Sequence, residues 1–423
     1  MFILLSLIIC PSYIYTMHKL IRDPIHGYIE IDELITALLD TVEMQRLHRI
    51  KQLGFSYLVY PGANHTRFEH SLGTYHLMNL ILDRFAIARE REQELRVASL
   101  IHDVGHGPYS HVIEPLIKKF TGKSHEDIED ILFSHDEDKD EGGESTHIAD
   151  VIAKYHLDGH KILGFIKGDA KGAFSKILNG EIDIDKMDYL VRDSFYTGVA
   201  YGVVDNMRMI QGLDFFNDQL VITEKGLLPA EYLLFSRFLM YPSVYSHHTT
   251  RIAQLMFSRA VESLIESSPS PLDYALALRV MDDYEIDTTL RNAGGYPEEM
   301  ITRINERRLF KRALYIQLNM LEENLMEELR EESRVRELEM EISKRAGVDE
   351  KYLILDVQSD IGAFLKESEA QVAIHNEIRS LSDVSELVKM LNRASYDFRR
   401  LGIYTPMRYR AAVKRAAEAI LCH

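Results

Sequence analysis

Cysteine is nearly absent: Cys10 and Cys422 are the only two in 423 residues. Two thiols near opposite ends build no disulfide framework, so a reducing, cytoplasmic setting is expected. A basic excess is also missing. Lys and Arg number 49 against 66 Asp and Glu, giving a formal net charge of −17. Binding that lives on phosphate-backbone contacts scales with the phosphates neutralised, so stable nucleic-acid binding is not expected. No apolar run is long enough for a membrane span, and membrane association is not expected. The opening stretch MFILLSLIIC is too short. As a secretory signal it lacks a positive n-region, the first Lys or Arg being Lys19. Residues 1–16 therefore read as an apolar leader, with the start mis-assigned upstream of Met17. Internal repeats and low-complexity tracts are absent as well.

What is present is an ordinary folding composition. Hydrophobic residues at 46% and charged residues at 27% exclude wholesale disorder. The length exceeds one typical domain and implies a large unit with an appended lobe. IRDPIHGYIEI (Ile21 to Ile31) contains a Pro-x-x-Gly turn followed by apolar alternation, which predicts a small hairpin. The pattern to about Ser267 is helical, with runs at Leu95–Ile101 and Ile252–Ile265. SHDEDKDEGGE (Ser134 to Glu144) reads as a solvated loop, because EF-hand spacing is absent. Glu322 to Arg345 predicts an exposed helix, too short for an extended coiled coil. Beyond Gly347 the texture changes: Tyr352–Val357 predicts a buried strand, and Ser382–Arg393 a helix with Ser382 as its N-cap. The expected organisation is a helical region over 17–346 and a C-terminal α+β lobe over 347–423.

Three segments crowd ligand-capable side chains: Asn64–Gly73, Ile101–His111 and Ile182–Asp193. Taken singly, each has an ordinary structural explanation. A lone histidine is usually hydrogen-bonded in a core, and the aspartates of the third segment could form a solvated helix face. The second segment shifts the balance. His102 and Asp103 follow a continuous apolar run, where charge is costly unless paired or metal-bound. His102, Asp103, His106 and His111 fall within ten positions, broken by Gly105, Gly107 and Pro108. Mixed imidazole and carboxylate donors suit Mg, Mn, Fe, Ni or Zn rather than a structural thiolate zinc. His-Glu-x-x-His and Gly-x-x-x-x-Gly-Lys-Ser/Thr are both absent, which disfavours zinc-protease and P-loop chemistry.

A His, then a His-Asp doublet, then a distant Asp resembles the signature of the HD-domain phosphohydrolases. Asp23-Pro24-Ile25-His26-Gly27, Gln45-Arg46-Leu47, Ile50-Lys51-Gln52-Leu53-Gly54, Tyr60-Pro61-Gly62-Ala63, Arg67-Phe68-Glu69-His70-Ser71-Leu72-Gly73 and Asp185-Lys186-Met187-Asp188-Tyr189 resemble, more narrowly, the deoxynucleoside triphosphate triphosphohydrolases of the SAM-and-HD type and their bacterial and archaeal relatives. The close likeness covers roughly Lys19 to Asp205. The resemblance implies a mainly α fold: an HD-domain helical bundle with a small N-terminal β-hairpin and the α+β lobe. It implies that His70, His102, Asp103 and Asp185 hold one divalent metal, and that His106, His111 and His125 are further active-site histidines. By the same likeness, Arg67 and Lys186 hold the triphosphate, while Gln52, Leu53, Tyr189 and Asp193 line a sugar pocket. Tyr245 matches a tyrosine that crowds the ribose C2′ position. The implied reaction is attack of metal-activated water at the α-phosphorus of a dNTP, releasing deoxynucleoside and inorganic triphosphate. His125 or His111 would protonate the leaving oxygen. Alternatives within the same superfamily are a deoxynucleoside 5′-monophosphatase and a cyclic-nucleotide phosphodiesterase; a catalytically silent nucleotide-sensing scaffold is the alternative outside it.

The resemblance also implies a homo-oligomer, dimer or tetramer, with an activator dNTP at subunit interfaces near Lys19, Asp40 and Gln45. His48 stands where that pattern has an arginine, and an imidazole cannot reproduce a guanidinium's bidentate fork, which counts against guanine-nucleotide activation. The acidic balance is expected in the 134–144 loop and the Glu322–Arg345 helix, leaving a pocket made cationic by Arg67, Lys186, histidines and metal.

Overall fold

The computed structural model describes residues 19–89, 92–133, 147–170, 174–217, 219–358, 368–375, 377–395 and 398–421. The leader at 1–16, both cysteines and the acidic 134–144 run lie outside the described residues. The fold is mainly α, as expected. It opens on an antiparallel hairpin, β1 (Lys19–Asp23) and β2 (Gly27–Ile31), in register from Lys19 opposite Ile31 to Asp23 opposite Gly27. Asp23 makes the turn. Its Oδ1 accepts from the Ile25 and His26 amides at 2.9 and 2.8 Å, and Gly27 takes a positive φ of 79°.

The site is carried by α1 (Arg67–Arg84), α2 (Gln93–Ile101), α3 (Glu114–Thr121) and α4 (Ile184–Thr197). Leu72, Leu77, Leu100, Ile101, Ile184 and Leu190 bury α1, α2 and α4 in one core. A second core forms around α5 (His248–Glu266), packed with Pro271–Val280, α6 (Asp283–Asn292) and Gly295–Asn305. The predicted runs at 95–101 and 252–265 thus both form helices.

Small sheets fill the remainder. Strands β3 (Leu213–Phe216) and β4 (Gln219–Thr223) join β7 (Gln371–Ile374) and β8 (Glu377–Ser380) in the order β3-β4-β7-β8. Strands β5 (Lys311–Gln317), β6 (Ile354–Gln358) and β9 (Arg400–Thr405) pair in the order β5-β9-β6. The C-terminal sheet therefore draws a strand from upstream of residue 347, and β7 returns to pair with β4. Three local expectations shift. The Glu322–Arg345 run divides into helices Glu323–Glu328 and Glu332–Ala346. The buried strand begins at Ile354 rather than Tyr352, which ends a short 3-10 turn. Finally, Ser380 rather than Ser382 is the N-cap: its side chain accepts from the Asp383 amide, and the helix breaks at Ser385 before resuming at Glu386–Ser395. Among the described residues no helix is long and apolar enough to cross a membrane.

Candidate active site

Local sequence rules place each ligand-capable residue. Thr66 and Glu69 form a capping box that starts α1, so Arg67 and His70 share its first turn. Asp183 caps α4 by accepting from the Lys186 amide. Helical spacing then sets Asp185, Asp188, Tyr189, Arg192 and Asp193 along one side of α4. Gly73 lets α1 and α4 meet: a Cβ there would stand 1.9 Å from Asp188 Oδ1. Gly105 does the same after α2, where a Cβ would stand 2.0 Å from the His125 carbonyl oxygen.

The packing brings His70, His102 and Asp185 together, with donor atoms within 4.8 Å of one another. His70 Nε2 lies 2.8 Å from Asp185 Oδ1 and 3.9 Å from Asp103 Oδ2. Asp103 Oδ1 lies 3.4 Å from His102 Nε2. That His102 nitrogen is buried and has no hydrogen-bond partner among the described residues, an arrangement that costs free energy unless something binds it. Burial alone would lower the His70 pKa. Hydrogen bonds to Asp185 and Asp188 override burial and push it up to about 10. A field that holds a proton so firmly on an imidazole favours any cation, so the donor set fits a divalent metal.

Residues that the sequence reading left without a role support this centre. Asp188, fully buried, accepts from His70 Nδ1 at 2.8 Å and thereby orients Nε2 towards Asp185. It also meets His26 Nε2 at 2.6 Å and the Arg192 guanidinium at 2.8 and 3.0 Å. Arg192 reaches Asp23 Oδ2 at 2.8 Å, so the hairpin is wired through Asp188 to His70. The helical spacing of 185, 188 and 192 was the available signal for this shell.

Arg67 is buried and bridges two groups. Nη1 donates to Asp103 Oδ2 and Nε to Ser110 Oγ, both at 2.6 Å, while Nη2 has no partner among the described residues. Burial would raise the Asp103 pKa, but Arg67, His102 and His70 hold it far below the carboxylate range. Next to it stand His106, His111 and His125. His106 and His125 stack with centroids 4.0 Å apart, and burial plus the charge of Arg67 keeps His106 neutral, its pKa well below the ordinary value. Glu114 accepts from His125 Nδ1 and, at 2.9 Å, from the exposed His111 Nδ1. Burial opposes a charge on His125, yet the bond to Glu114 raises its pKa above the ordinary value. Glu114, three residues after His111, is a partner the sequence reading missed.

Two cavities meet here. One, of about 160 Å³, is lined by His102, Asp103, Asp185, Lys186, His106, His125 and Asp183. The other, of about 520 Å³, is lined by Leu53, Asp193, Tyr245, Arg237 and Gln254. Gln52, Arg67, His111 and Tyr189 belong to both. In the larger cavity the Tyr245 hydroxyl donates to Asp193 Oδ2 at 2.9 Å, and His65 Nε2 holds Asp193 Oδ1 at 2.7 Å. Tyr245 arrives there through a π-helical turn, Tyr241–Tyr245, that follows helix Leu227–Met240. The cationic pocket expected from sequence is not built by side chains alone. Arg67 is matched by Asp103, and the Lys186 Nζ lies 2.7 Å from Asp183 Oδ2. Of the activator-site candidates, His48 stacks on Phe68 at 3.6 Å, and the Gln45 amide donates to the Leu39 carbonyl.

Residues 67–193 match the HD domain and residues 204–422 the HD associated region. The chain belongs to the HD-domain family. It is a metal-dependent phosphohydrolase of that family. The uncharacterized protein MJ1154 of Methanocaldococcus jannaschii is 35% identical over 92% of this chain and 79% of its own length. A Dictyostelium discoideum protein named as a deoxynucleoside triphosphate triphosphohydrolase SAMHD1 homolog is 32% identical over 57% of this chain and 48% of its own. A solved phosphohydrolase of Bacteroides thetaiotaomicron superposes with a TM-score of 0.69 at 27% identity, over 92% of this chain and 99% of that one. The HD domain supplies α1, α2, α3 and α4 as far as Asp193, while Tyr245 and the far wall of the larger cavity come from the HD associated region.

Proposed function

We propose that this HD-domain protein hydrolyses deoxynucleoside triphosphates to deoxynucleoside and inorganic triphosphate. One observation carries the reading: a cavity with a guanidinium and metal-type donors at one end runs on, through Gln52, Arg67, His111 and Tyr189, into a cavity closed by Tyr189, Asp193 and Tyr245. A ligand that fills both has a polyphosphate at one pole and a sugar at the other. The resemblance to a dNTP triphosphohydrolase of Dictyostelium points the same way.

His70, His102, Asp103 and Asp185 would hold the divalent ion, which when bound supplies an acidified water and charge neutralisation at phosphoryl oxygens. Arg67 Nη2, buried and without a partner among the described residues, is the group suited to take a phosphate oxygen. Lys186, paired with Asp183, stands in the same wall as a second cation for the phosphate chain. Asp193, fixed by His65 and Tyr245, accepts from a sugar hydroxyl, and Gln52 Oε1, buried without a partner among the described residues, is a second acceptor in the same wall. Tyr245 blocks the C2′ position and so rejects ribose. As the bond from α-phosphorus to the 5′-oxygen breaks, His125 gives that oxygen a proton, with Glu114 holding its other ring nitrogen. Oligomerisation and dNTP activation belong to the same reading.

Product chromatography after incubation with each dNTP and each monophosphate tests it. Triphosphate with free nucleoside is the expected result; orthophosphate from a monophosphate, or no product from any dNTP, overturns it. The proton donor has its own signature. His125→Gln is expected to slow turnover by about 10²–10⁴-fold. Because Glu114 raises the His125 pKa, Glu114→Gln should move the alkaline limb of the kcat–pH profile to lower pH. An unmoved limb would remove His125 from the acid role.

A further inference from the structure

Two consecutive residues beside the catalytic histidines hold an unusual backbone. Tyr109 and Ser110 have φ values of +53° and +56°, the left-handed region that side chains avoid. Such strain persists only where surrounding contacts over-determine it. Ser110 is held by Arg67 and donates to the Lys51 carbonyl at 3.2 Å. The rest of the grip comes from α6, in the HD associated region. Tyr109 N donates to Asp283 Oδ1 at 2.6 Å, and the Tyr109 hydroxyl to Asp287 Oδ1 at 2.9 Å. The second oxygen of Asp283 accepts from the Lys51 amide at 3.0 Å.

These two amides begin the two loops that line the larger cavity. Gln52, Leu53 and Gly54 follow Lys51; Ser110, His111 and Val112 follow Tyr109. We infer that Asp283 is a positioning residue: one carboxylate from the HD associated region clamps both cavity loops and keeps the Tyr109–Ser110 bend in place. In calling the cavity's ligand a substrate, the inference rests on the dNTP reading above. Asp283 is not needed to start its own helix. Asp282 does that, accepting from the Tyr284 and Glu285 amides while Glu285 reciprocates. Asp283 is buried at 2% exposure, and a buried carboxylate persists only where its oxygens are satisfied.

The clamp is also sensitive to protonation. The charged and titratable groups around it are Lys51, whose Nζ is 3.9 Å away, Asp287, Tyr57 and Tyr109. Tyr284 flanks Lys51, Arg49 pairs with the adjacent Asp282, and Arg291 faces Asp287. Burial raises the Asp283 pKa to about 6, against the two amide bonds and Lys51, which lower it. Above that pH both oxygens accept. Below it one oxygen carries a proton, and one loop amide loses its acceptor.

Amide hydrogen exchange on the full chain tests the clamp without requiring turnover. Peptides covering Lys51–Gly54 and Gly107–Val112 are compared well above and well below about pH 6, after correction for intrinsic exchange. Wild type should lose about tenfold protection in these peptides at the lower pH, the expected effect of one unpaired buried amide. Asp283→Asn, with a single acceptor oxygen, should show that loss already at the higher pH. Its kcat should fall about tenfold while metal content stays at the wild-type level. Wild-type protection in both peptides of Asp283→Asn overturns the inference. Should that variant not fold, the wild-type pH comparison decides alone: no loss of protection in the two peptides overturns the inference. A wild type that hydrolyses no dNTP defeats the function reading and leaves the exchange result intact.

Discussion

Asp185→Ala is expected to lose bound metal and turnover together. Asp185 sits on the first turn of α4 with its side chain 36% exposed and 2.8 Å from His70 Nε2, so its removal opens no core cavity and leaves the helix cap on Asp183. The fold should survive. What disappears is one of the anionic donors that make the site favourable to a cation. A divalent ion contributes several kcal/mol to stabilising phosphoryl charge, and each 1.36 kcal/mol is tenfold in rate, so turnover should drop by at least ~10³-fold. Elemental analysis of metal per chain alongside product release measures both. An Asp185→Ala protein that is metal-free yet fully active would sink the assignment of this centre.

The largest stability effect belongs to Arg192. Its guanidinium is wholly buried and bonded to Asp188 on one side and Asp23 on the other. Arg192→Met would keep most of the volume and take the cation away from two buried carboxylates, leaving Asp188 to His26 and His70 and Asp23 to its turn amides. Removing one partner of a buried ion pair costs about 3–5 kcal/mol. The pH dependence follows from the sign of the change. In wild type the Asp188 pKa is held far below the carboxylate range, with Arg192 the largest favourable partner. Without Arg192 that pKa would rise, although His26 and His70 still hold it down, so the stability gap between variant and wild type should narrow as pH falls. Denaturant titration at two pH values reads both effects, and a loss under about 1 kcal/mol would contradict the ion-pair argument.

Of the metal-type donors, His102 and Asp103 stand out in the sequence itself, because they end an apolar run. His70 and Asp185 are singled out only by the likeness of their motifs to the HD-domain phosphohydrolases. The groups that control these donors are not legible in the sequence, because their partners are remote. Asp188 joins His26 and His70 across 162 and 118 residues, and Asp283 joins Lys51 and Tyr109 across 232 and 174. Side-chain periodicity cannot report such pairings. The same limit applies to the fold. The hairpin and the helical runs carry their own turn and period signals. By contrast, β5 is recognisable as a lobe strand only through its pairing with β9, and the break at Ser385 lies inside a run whose apolar spacing alone reads as continuous helix.

The wiring of β1 and β2 to α4 sets an order of events for the newborn chain. Asp23, His26 and His70 leave the ribosome long before Asp188 and Arg192, and until then the hairpin and the first histidine have no counter-charges to settle against. The entropy of closing so long a loop grows only slowly with its length, but contacts this distant in sequence form late. The centre is therefore unfinished in any nascent chain shorter than α4, whatever helices have already formed, and a metal ion arriving early would meet a histidine whose ring has not yet been turned to face it.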